Sequence, residues 1–234
     1  MGVLVVTGTG TEVGKTVTTA ALAAVAARSG RSVAVLKPAQ TGVAPGEPGD
    51  VDEVVRLAGD AVTGIELARY PEPLAPGTAA ARAGMAPVRP EQVADAAAKL
   101  AASHDLVLVE GAGGLLVRFD EEGSTLADAA GLLGAPVLVV AAAGLGTLNS
   151  VQLTGEALRA RGLHQAGVVI GSWPREPGLA ERCNVVDLPV VAGAGLVGAV
   201  PEGAGAVPAG EFRVGAERWL GPSLGGVWDG DLVT

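Results

Sequence analysis

The chain has 234 residues, of which 49% are hydrophobic and 18% are charged. This length suits one well-packed α/β domain, and the composition argues against a disordered chain. The formal net charge of −9 disfavours binding to nucleic acid or to an anionic membrane surface as the main activity. Because Cys183 is the only cysteine, no intramolecular disulfide is possible, and we expect a cytoplasmic protein. The apolar segment 135–148 is too short to span a bilayer, so we also expect the protein to be soluble.

Short apolar runs rich in Val and Leu alternate along the chain with longer stretches of helical composition. The runs lack polar alternation, as expected of strands that are covered on both faces. We therefore predict an α/β fold with a doubly wound, mostly parallel sheet flanked by helices, in which ligands bind beyond the carboxyl ends of the strands. The predicted strands are 3–7, 33–37, 106–110, 137–141, 166–171 and 196–200, and the predicted helices are 15–28, 50–57, 90–103, 125–133 and 149–161.

Three stretches depart from this alternation. Residues 42–49 and 70–89 are rich in Pro and Gly, which indicates loops around the site. From about residue 204 the chain is rich in glycine, and we predict an irregular tail there. The sequence shows no internal repeat, so a single domain over 1–234 is expected.

A Gly-rich sequence follows the first predicted strand: Gly8-Thr9-Gly10-Thr11-Glu12-Val13-Gly14-Lys15-Thr16. A phosphate-binding loop needs glycines so that backbone N–H groups can surround the phosphates, a lysine to reach the β- and γ-phosphates, and a hydroxyl for the metal. The helix that follows adds its N-terminal N–H groups and dipole. The loop is one residue longer than the usual motif, but the flanking strand and helix fit it. We therefore predict binding of a nucleoside triphosphate with Mg²⁺.

Lys37 ends the second predicted strand, in the sequence Lys37-Pro38-Ala39-Gln40-Thr41-Gly42. A lysine at a strand edge is commonly solvated, but this one ends a buried strand that we expect to neighbour the phosphate-loop strand. Its ammonium would then project into the phosphate site and stabilise negative charge during phosphoryl transfer. Thr41 would add a neutral hydrogen-bonding group nearby.

Carboxylates follow two of the predicted strands. Glu110 ends strand 106–110 and precedes Gly111-Ala112-Gly113-Gly114, where an acidic side chain beside a phosphate loop is expected to bind magnesium. Asp50 and Asp52 offer a further carboxylate, although Asp50 also suits a helix N-cap.

Small residues at 144–150 open another predicted helix. A helix N-terminus of this kind can hold an anion. Physical chemistry alone nevertheless favours an ordinary strand-to-helix turn with Asn149 as the cap.

In this order, the motifs resemble the dethiobiotin synthetase family, ATP-dependent carboxylases of biotin synthesis with a P-loop NTPase-like fold. The resemblance covers roughly residues 1–203, and the extra residue of the phosphate loop is the family's own form. It rests on the phosphate loop, Lys37-Pro38, Gln40-Thr41-Gly42, Val109-Glu110-Gly111-Ala112-Gly113-Gly114, Gly146-Thr147-Leu148-Asn149 and Gly171-Ser172-Trp173-Pro174.

The resemblance implies a homodimeric ligase that uses 7,8-diaminopelargonate, CO2 and ATP, with Mg²⁺, to make dethiobiotin, ADP and phosphate. One amine would form a carbamate, the γ-phosphate would activate it as a mixed anhydride, and the second amine would close the cyclic urea. Such a reaction needs positioned phosphates and neutralised charge, with no side-chain nucleophile.

The resemblance also implies roles for the matched residues. Lys37, Lys15 and Thr11 would be catalytic, and Thr16, Asp50 and Glu110 would arrange the metal. The nucleotide would be bound by Glu12, Val13, Gly14, Lys15, Thr16, Val17, Asp50, Glu110, Gly111, Ala112, Gly113, Gly171, Ser172, Pro201, Glu202 and Gly203. The substrate would be bound by Thr41 and, from across the dimer interface, by Leu145, Gly146, Leu148 and Asn149, which replaces the turn interpretation of that segment.

Two other functions are compatible with a phosphate loop. An amidoligase would need a glutaminase domain with a catalytic cysteine, which this length and Cys183 alone make a poor fit. A nucleotide-switched positioning ATPase should carry an extra lysine early in the loop, where this chain has Thr9-Gly10-Thr11.

Overall fold

Residues 2–230 are described by a computed structural model, and seven strands in them form one sheet. The strands are β1 (Gly2–Gly8), β2 (Val33–Thr41), β3 (Val62–Tyr70), β4 (Leu106–Gly114), β5 (Val137–Ala141), β6 (Gln165–Trp173) and β7 (Leu196–Pro201). Their order across the sheet is β3-β2-β4-β1-β5-β6-β7, and each neighbouring pair is parallel. The predicted doubly wound α/β fold is therefore confirmed.

Eight α-helices within residues 2–230 connect or follow the strands. They are α1 (Lys15–Arg28), α2 (Asp50–Ala58), α3 (Pro76–Ala83), α4 (Pro90–Ala101), α5 (Leu126–Leu133), α6 (Thr147–Ala160), α7 (Leu179–Ala192) and α8 (Ala209–Trp219). Of these helices, none combines the length and the apolar character that a membrane span requires.

Two hydrophobic clusters cover the two faces of the sheet. Val5 belongs to one cluster and its neighbour Val6 to the other, because successive strand side chains point to opposite faces. The first cluster includes buried side chains of α4 to α7, and the second includes those of α1, α2 and α8. This two-sided burial explains why the central strands are apolar without alternation.

The strand order differs from the prediction at Lys37. We expected its strand to neighbour the phosphate-loop strand, but β4 lies between β2 and β1. The prediction was wrong because an apolar strand carries no signal for which of several similar strands it will pair with. Lys37 still reaches the site, since its strand ends beside Glu110 on β4.

Three further elements were not predicted. Strand β3 lies at the edge of the sheet and includes Glu66 and Arg69, so its composition does not suggest a buried strand. Helix α3 lies within the stretch 70–89 that we assigned to a loop, and α7 contains Pro189, a residue that normally ends helices.

The irregular tail predicted from about residue 204 was also wrong for much of its length, because α8 occupies Ala209–Trp219. Its glycines lower helix propensity, but tertiary packing overrides that weak preference. Phe212 is fully buried, and its ring meets that of Trp219 edge-on with centroids 5.1 Å apart. Helix α8 packs against α1 and α2. The last four residues of the tail, 231–234, lie outside the described residues.

Candidate active site

The Gly-rich loop leaves β1 at Gly8 and enters α1 at Lys15. Gly14 is the N-cap of α1 and has a φ of 91°, which favours glycine. It lies directly against the end of β6, since a Cβ at position 14 would be 2.2 Å from the carbonyl oxygen of Gly171. Glu12 has a φ of 60°, the only positive φ of a non-glycine residue between positions 2 and 230. Such strained backbone is common at ligand sites.

Lys15 is buried at the base of the loop, where its Nζ donates to the carbonyl oxygen of Gly10 at 2.8 Å. Burial lowers the pKa of Lys15 below its ordinary value, and the nearby charge of Lys37 lowers it further. The next residue, Thr16, donates its hydroxyl to Glu110 Oε1 at 3.0 Å. The loop therefore presents a cation and a hydroxyl next to a buried carboxylate.

Lys37 is 2% exposed, and its ammonium lies between two carboxylates. Its Nζ is 2.9 Å from Glu110 Oε1 and donates to the Gly111 carbonyl at 3.2 Å, and it also forms an ion pair with Asp50 Oδ2. Burial alone would lower the pKa of Lys37, but the charges of Glu110 and Asp50 outweigh it and raise this pKa above its ordinary value. Lys37 is accordingly held as a cation.

The structure distinguishes between the two aspartates of α2. Asp50 is the first residue of the helix, and its carboxylate reaches Lys37. Asp52 instead accepts a hydrogen bond from the backbone N–H of Gly49 at 2.7 Å, which is a helix-capping contact. The N-cap interpretation of Asp50 is therefore wrong, because Gly49 is the N-cap.

These groups border a cavity of about 700 Å³ at the carboxyl ends of β2 and β4. Glu110 does not line the cavity itself, but it contacts two residues that do, Thr16 and Lys37. The predicted site residues that line it are Thr11, Glu12, Gly14, Lys15, Thr16, Val17, Lys37, Thr41, Asp50, Ala112 and Gly113. Sequence reasoning missed Ala39, Gln40, Pro73, Leu74, Ala75, Pro76 and Val117, which also line it. Of these residues, only Gln40 could have been inferred from the sequence, because it is a polar residue inside the Lys37–Gly42 motif.

Other predicted residues lie away from this cavity. Ser172 and Pro201–Gly203 are at the ends of β6 and β7, where the Glu202 N–H donates to the Trp173 carbonyl at 2.7 Å. Helix α6 begins at Thr147 with Gly146 as its N-cap, so the alternative in which Asn149 is the cap is wrong. Leu145 is 91% exposed, and the segment 145–149 does not line the cavity of its own chain.

The side chains beside the cavity include oxygen donors of the kind that Mg²⁺ prefers. Glu110 Oε2 is buried and has no hydrogen-bond partner within residues 2–230. A buried carboxylate oxygen without a partner is costly unless a cation or water satisfies it. Together with the Thr16 hydroxyl and Asp50, it forms a set of hard oxygen donors of the kind that Mg²⁺ prefers.

Comparison with known proteins agrees with this geometry. The family described as AAA domain matches residues 3–208. The ATP-dependent dethiobiotin synthetase BioD of Streptomyces avermitilis is 72% identical over 231 residues, covering 99% of this chain and 97% of that protein. The chain belongs to the ATP-dependent dethiobiotin synthetase family. The dethiobiotin synthetases BioD of Streptomyces coelicolor and Saccharopolyspora erythraea are each 68% identical, covering 99% and 97% of this chain. As a dethiobiotin synthetase family member, the chain is an enzyme of the ligase class, as the sequence predicts.

Solved structures of other proteins share the fold of this dethiobiotin synthetase family member. The septum site-determining protein MinD of Pyrococcus horikoshii, solved with Mg-ADP, gives a TM-score of 0.56 at 16% identity and covers 91% of this chain and 89% of its own. The cell division ATPase MinD of Pyrococcus furiosus gives 0.57 at 17% identity, covering 93% and 98%. At these identities the likeness shows a common P-loop NTPase fold and nothing about activity.

Proposed function

We propose that the chain converts 7,8-diaminopelargonate, CO2 and ATP to dethiobiotin, ADP and phosphate in this cavity. One observation carries the proposal: Lys37 is buried between Glu110 and Asp50, directly beside the phosphate loop that holds Lys15 and Thr16. Two cations in one cavity are suited to an anionic nucleophile and the phosphate that it attacks. The names of the close relatives support the same reaction.

The proposed reaction has three steps. One amine of the diamine adds to CO2 and loses a proton, which gives a carbamate. A carbamate oxygen attacks the γ-phosphorus of ATP, the bond to the β-phosphate oxygen breaks, and ADP leaves. The second amine then attacks the carbonyl carbon of this mixed anhydride, phosphate leaves with the bonding pair, and loss of a proton completes the cyclic urea.

The charge and position of each side chain in the cavity determine its proposed role. Lys37 binds the carbamate and the γ-phosphate, and its raised pKa keeps it a cation while negative charge shifts between them. Lys15 leaves its hydrogen bond with the Gly10 carbonyl to bind the β- and γ-phosphates. Thr11 and Thr41, which line the cavity, hydrogen-bond the reacting end of the substrate. Positioning of this kind supplies much of the rate in phosphoryl transfer.

Mg²⁺ belongs to the proposal as the ion held by Thr16, Asp50 and Glu110. When bound, it would neutralise phosphate charge and orient the phosphates of ATP. The remaining predicted residues of the phosphate loop and of 111–113 surround the phosphates. Gly171, Ser172 and Pro201–Gly203 contact the base, because they end β6 and β7 on the far side of the loop.

A homodimer completes the proposed site. Leu145, Gly146, Leu148 and Asn149 would bind the substrate carboxylate in the cavity of the partner chain. Two features support this arrangement: the segment does not line its own cavity, and Leu145, Leu153 and Val190 leave exposed apolar surface on or beside α6 and α7. A cytoplasmic location is part of the proposal, since ATP and reduced Cys183 are both expected there.

The deciding experiment incubates the protein with diaminopelargonate, bicarbonate, MgCl2 and ATP, and follows the product by mass spectrometry. With ¹³C-bicarbonate, the label should appear in the carbonyl of a cyclic urea, with one ADP and one phosphate formed per ring. Absence of the labelled urea, with the protein folded and ATP bound, would refute the proposed reaction.

A further inference from the structure

Gln40 is a polar side chain of the cavity that the proposed reaction does not use. It is 4% exposed and follows Lys37 by three residues on β2. Its Oε1 accepts a hydrogen bond from the backbone N–H of Asp50 at 2.8 Å, and its Nε2 donates to the Thr41 carbonyl at 3.3 Å. A buried amide is costly unless its groups are paired, so these contacts fix its orientation.

This contact takes the place of the hydrogen bond that an N-cap side chain would normally accept. The first N–H groups of a helix lack partners inside the helix, and an N-cap side chain normally satisfies one of them. In α2 the N-cap is Gly49, which has no side chain. Gln40 instead reaches from the neighbouring strand to the N–H of Asp50. Strand β2 therefore holds Asp50 at two points, its amide through Gln40 and its carboxylate through Lys37.

A side chain at position 49 would break this arrangement. A Cβ there would lie 2.5 Å from Glu66 Oε1, 2.9 Å from Arg69 Nη2 and 3.0 Å from Gln40 Oε1. A side chain at position 49 would therefore push away the ends of these three side chains, which pack directly against the start of α2. Among the displaced groups would be Gln40 Oε1, the acceptor of the Asp50 amide.

Arg69 on β3 secures the loop that leads into α2. Its Nε and Nη2 donate to both carboxylate oxygens of Glu66 at 2.8 Å. Its Nη1 donates to the carbonyl of Ala44 at 3.2 Å and to that of Glu47, both within the loop. A planar guanidinium can make all of these bonds at once, which an ammonium cannot do.

We propose that Gln40, supported by Arg69, is a positioning residue that holds the Asp50 carboxylate in place for Mg²⁺ and Lys37. The inference rests on the proposed function, because it takes Asp50 to be part of the metal site. Residues that orient metal-binding carboxylates commonly change metal affinity about 10- to 100-fold when they are replaced. Gln40 would act through Asp50 and not through contact with the reacting atoms.

The test compares Gln40→Met with Gln92→Met. Methionine keeps the length of the side chain but replaces the amide oxygen with a thioether, which is only a weak hydrogen-bond acceptor. Gln92 is a matched control, because its Oε1 accepts from the backbone N–H of Arg89 at 2.9 Å at the start of α4, away from the cavity. Calorimetry with a non-hydrolysable imide analogue of ATP measures binding at a series of Mg²⁺ concentrations without turnover. It gives the Mg²⁺ concentration at half-maximal binding, and circular dichroism checks folding.

We expect Gln40→Met to raise the Mg²⁺ concentration at half-maximal analogue binding about 10-fold or more. Gln92→Met should leave this concentration unchanged. The inference would be overturned if Gln40→Met and wild type needed the same Mg²⁺ concentration for half-maximal binding. It would also be overturned if Gln40→Met and Gln92→Met raised that concentration equally. If Gln40→Met does not fold, Arg69→Lys is tested in its place. We expect it to raise the Mg²⁺ concentration at half-maximal binding by a smaller factor, and an unchanged concentration would overturn the inference. If wild type binds the analogue equally well at all Mg²⁺ concentrations, the proposed metal site is itself refuted.

Discussion

The Nζ of Lys37 and the Oε1 of Glu110 lie 2.9 Å apart, with 2% and 1% of the two residues exposed. Residues 73 positions apart in the chain meet because β2 and β4 are neighbours in the sheet. A buried ion pair contributes little to stability by itself, since removing two charges from water costs about as much as their attraction returns. Because the pair lies beside the phosphate loop, we propose that it serves the reaction more than the fold.

Replacement of Lys37 should remove activity without removing the fold. We expect Lys37→Ala to lower kcat about 100- to 1000-fold, because a preorganised cation at the phosphoryl-transfer site is lost. Lys99→Ala is the matched control, since Lys99 is an exposed residue of α4. Urea product is measured by mass spectrometry and folding by circular dichroism. Near-normal turnover by Lys37→Ala would remove Lys37 from the mechanism.

The two aspartates of α2 should behave differently. Asp50→Asn is expected to lower turnover about 10- to 100-fold and to raise the Mg²⁺ concentration needed for half-maximal rate. Asp52→Asn should cost only about 1 kcal/mol of unfolding free energy, because Asp52 caps the helix through the Gly49 N–H. Rates against Mg²⁺ concentration and urea denaturation separate the two effects. A larger loss of activity in Asp52→Asn would reverse the assignment.

Lys15→Met should raise the Tm of the nucleotide-free protein near neutral pH. Burial, and after it the charge of Lys37, lowers the pKa of Lys15 from 10.5. A cation with a lowered folded-state pKa destabilises the folded protein below that pKa, and the penalty vanishes as pH rises to the unfolded value. The Tm advantage of the variant should therefore shrink as pH approaches 10.5. An unchanged or lower Tm at neutral pH would contradict this prediction.

Lys37→Met should change the stability of the folded protein in the opposite direction from Lys15→Met. The carboxylates of Glu110 and Asp50 offset burial and raise the pKa of Lys37 above 10.5. Its contribution to stability is then fully present below the unfolded pKa and is lost as pH rises through the folded pKa. Lys37→Met should therefore be less stable than wild type at neutral pH, with the difference closing in strong alkali. Differential scanning fluorimetry across the pH range measures both variants.

Gly171→Ala tests the contact between β6 and the phosphate loop. A Cβ at position 171 would lie 2.0 Å from the Val13 carbonyl oxygen, so the loop must move. We expect a loss of about 1–3 kcal/mol of unfolding free energy and a fall in rate of about 100-fold, since a displacement of about 1 Å is enough for that. Gly210→Ala in α8 is the control, because nothing lies within 4 Å of its added Cβ. Urea denaturation and the rate of product formation measure both effects, and equal stability and equal rates in the two variants would show that the contact is unimportant.

Local features of the sequence predict much of this protein. The glycine spacing of the phosphate loop, the apolar strands and the polar residues after them predict an α/β fold with a phosphate site at the carboxyl edge of the sheet. These predictions succeed because backbone geometry and two-sided burial act over a few neighbouring residues. The order of the motifs was also enough to indicate the family.

Only the tertiary structure decided which residues meet. Pairing between similar apolar strands depends on the whole sheet, so the sequence misplaced β2 beside β1 when β4 lies between them. The ion pair of Lys37 with Asp50, and the contact of Gln40 with the Asp50 amide, depend on where α2 docks on the ends of β2 and β3. Helix α8 forms for the same reason, since burial of Phe212 against distant elements outweighs the low helix propensity of its glycines.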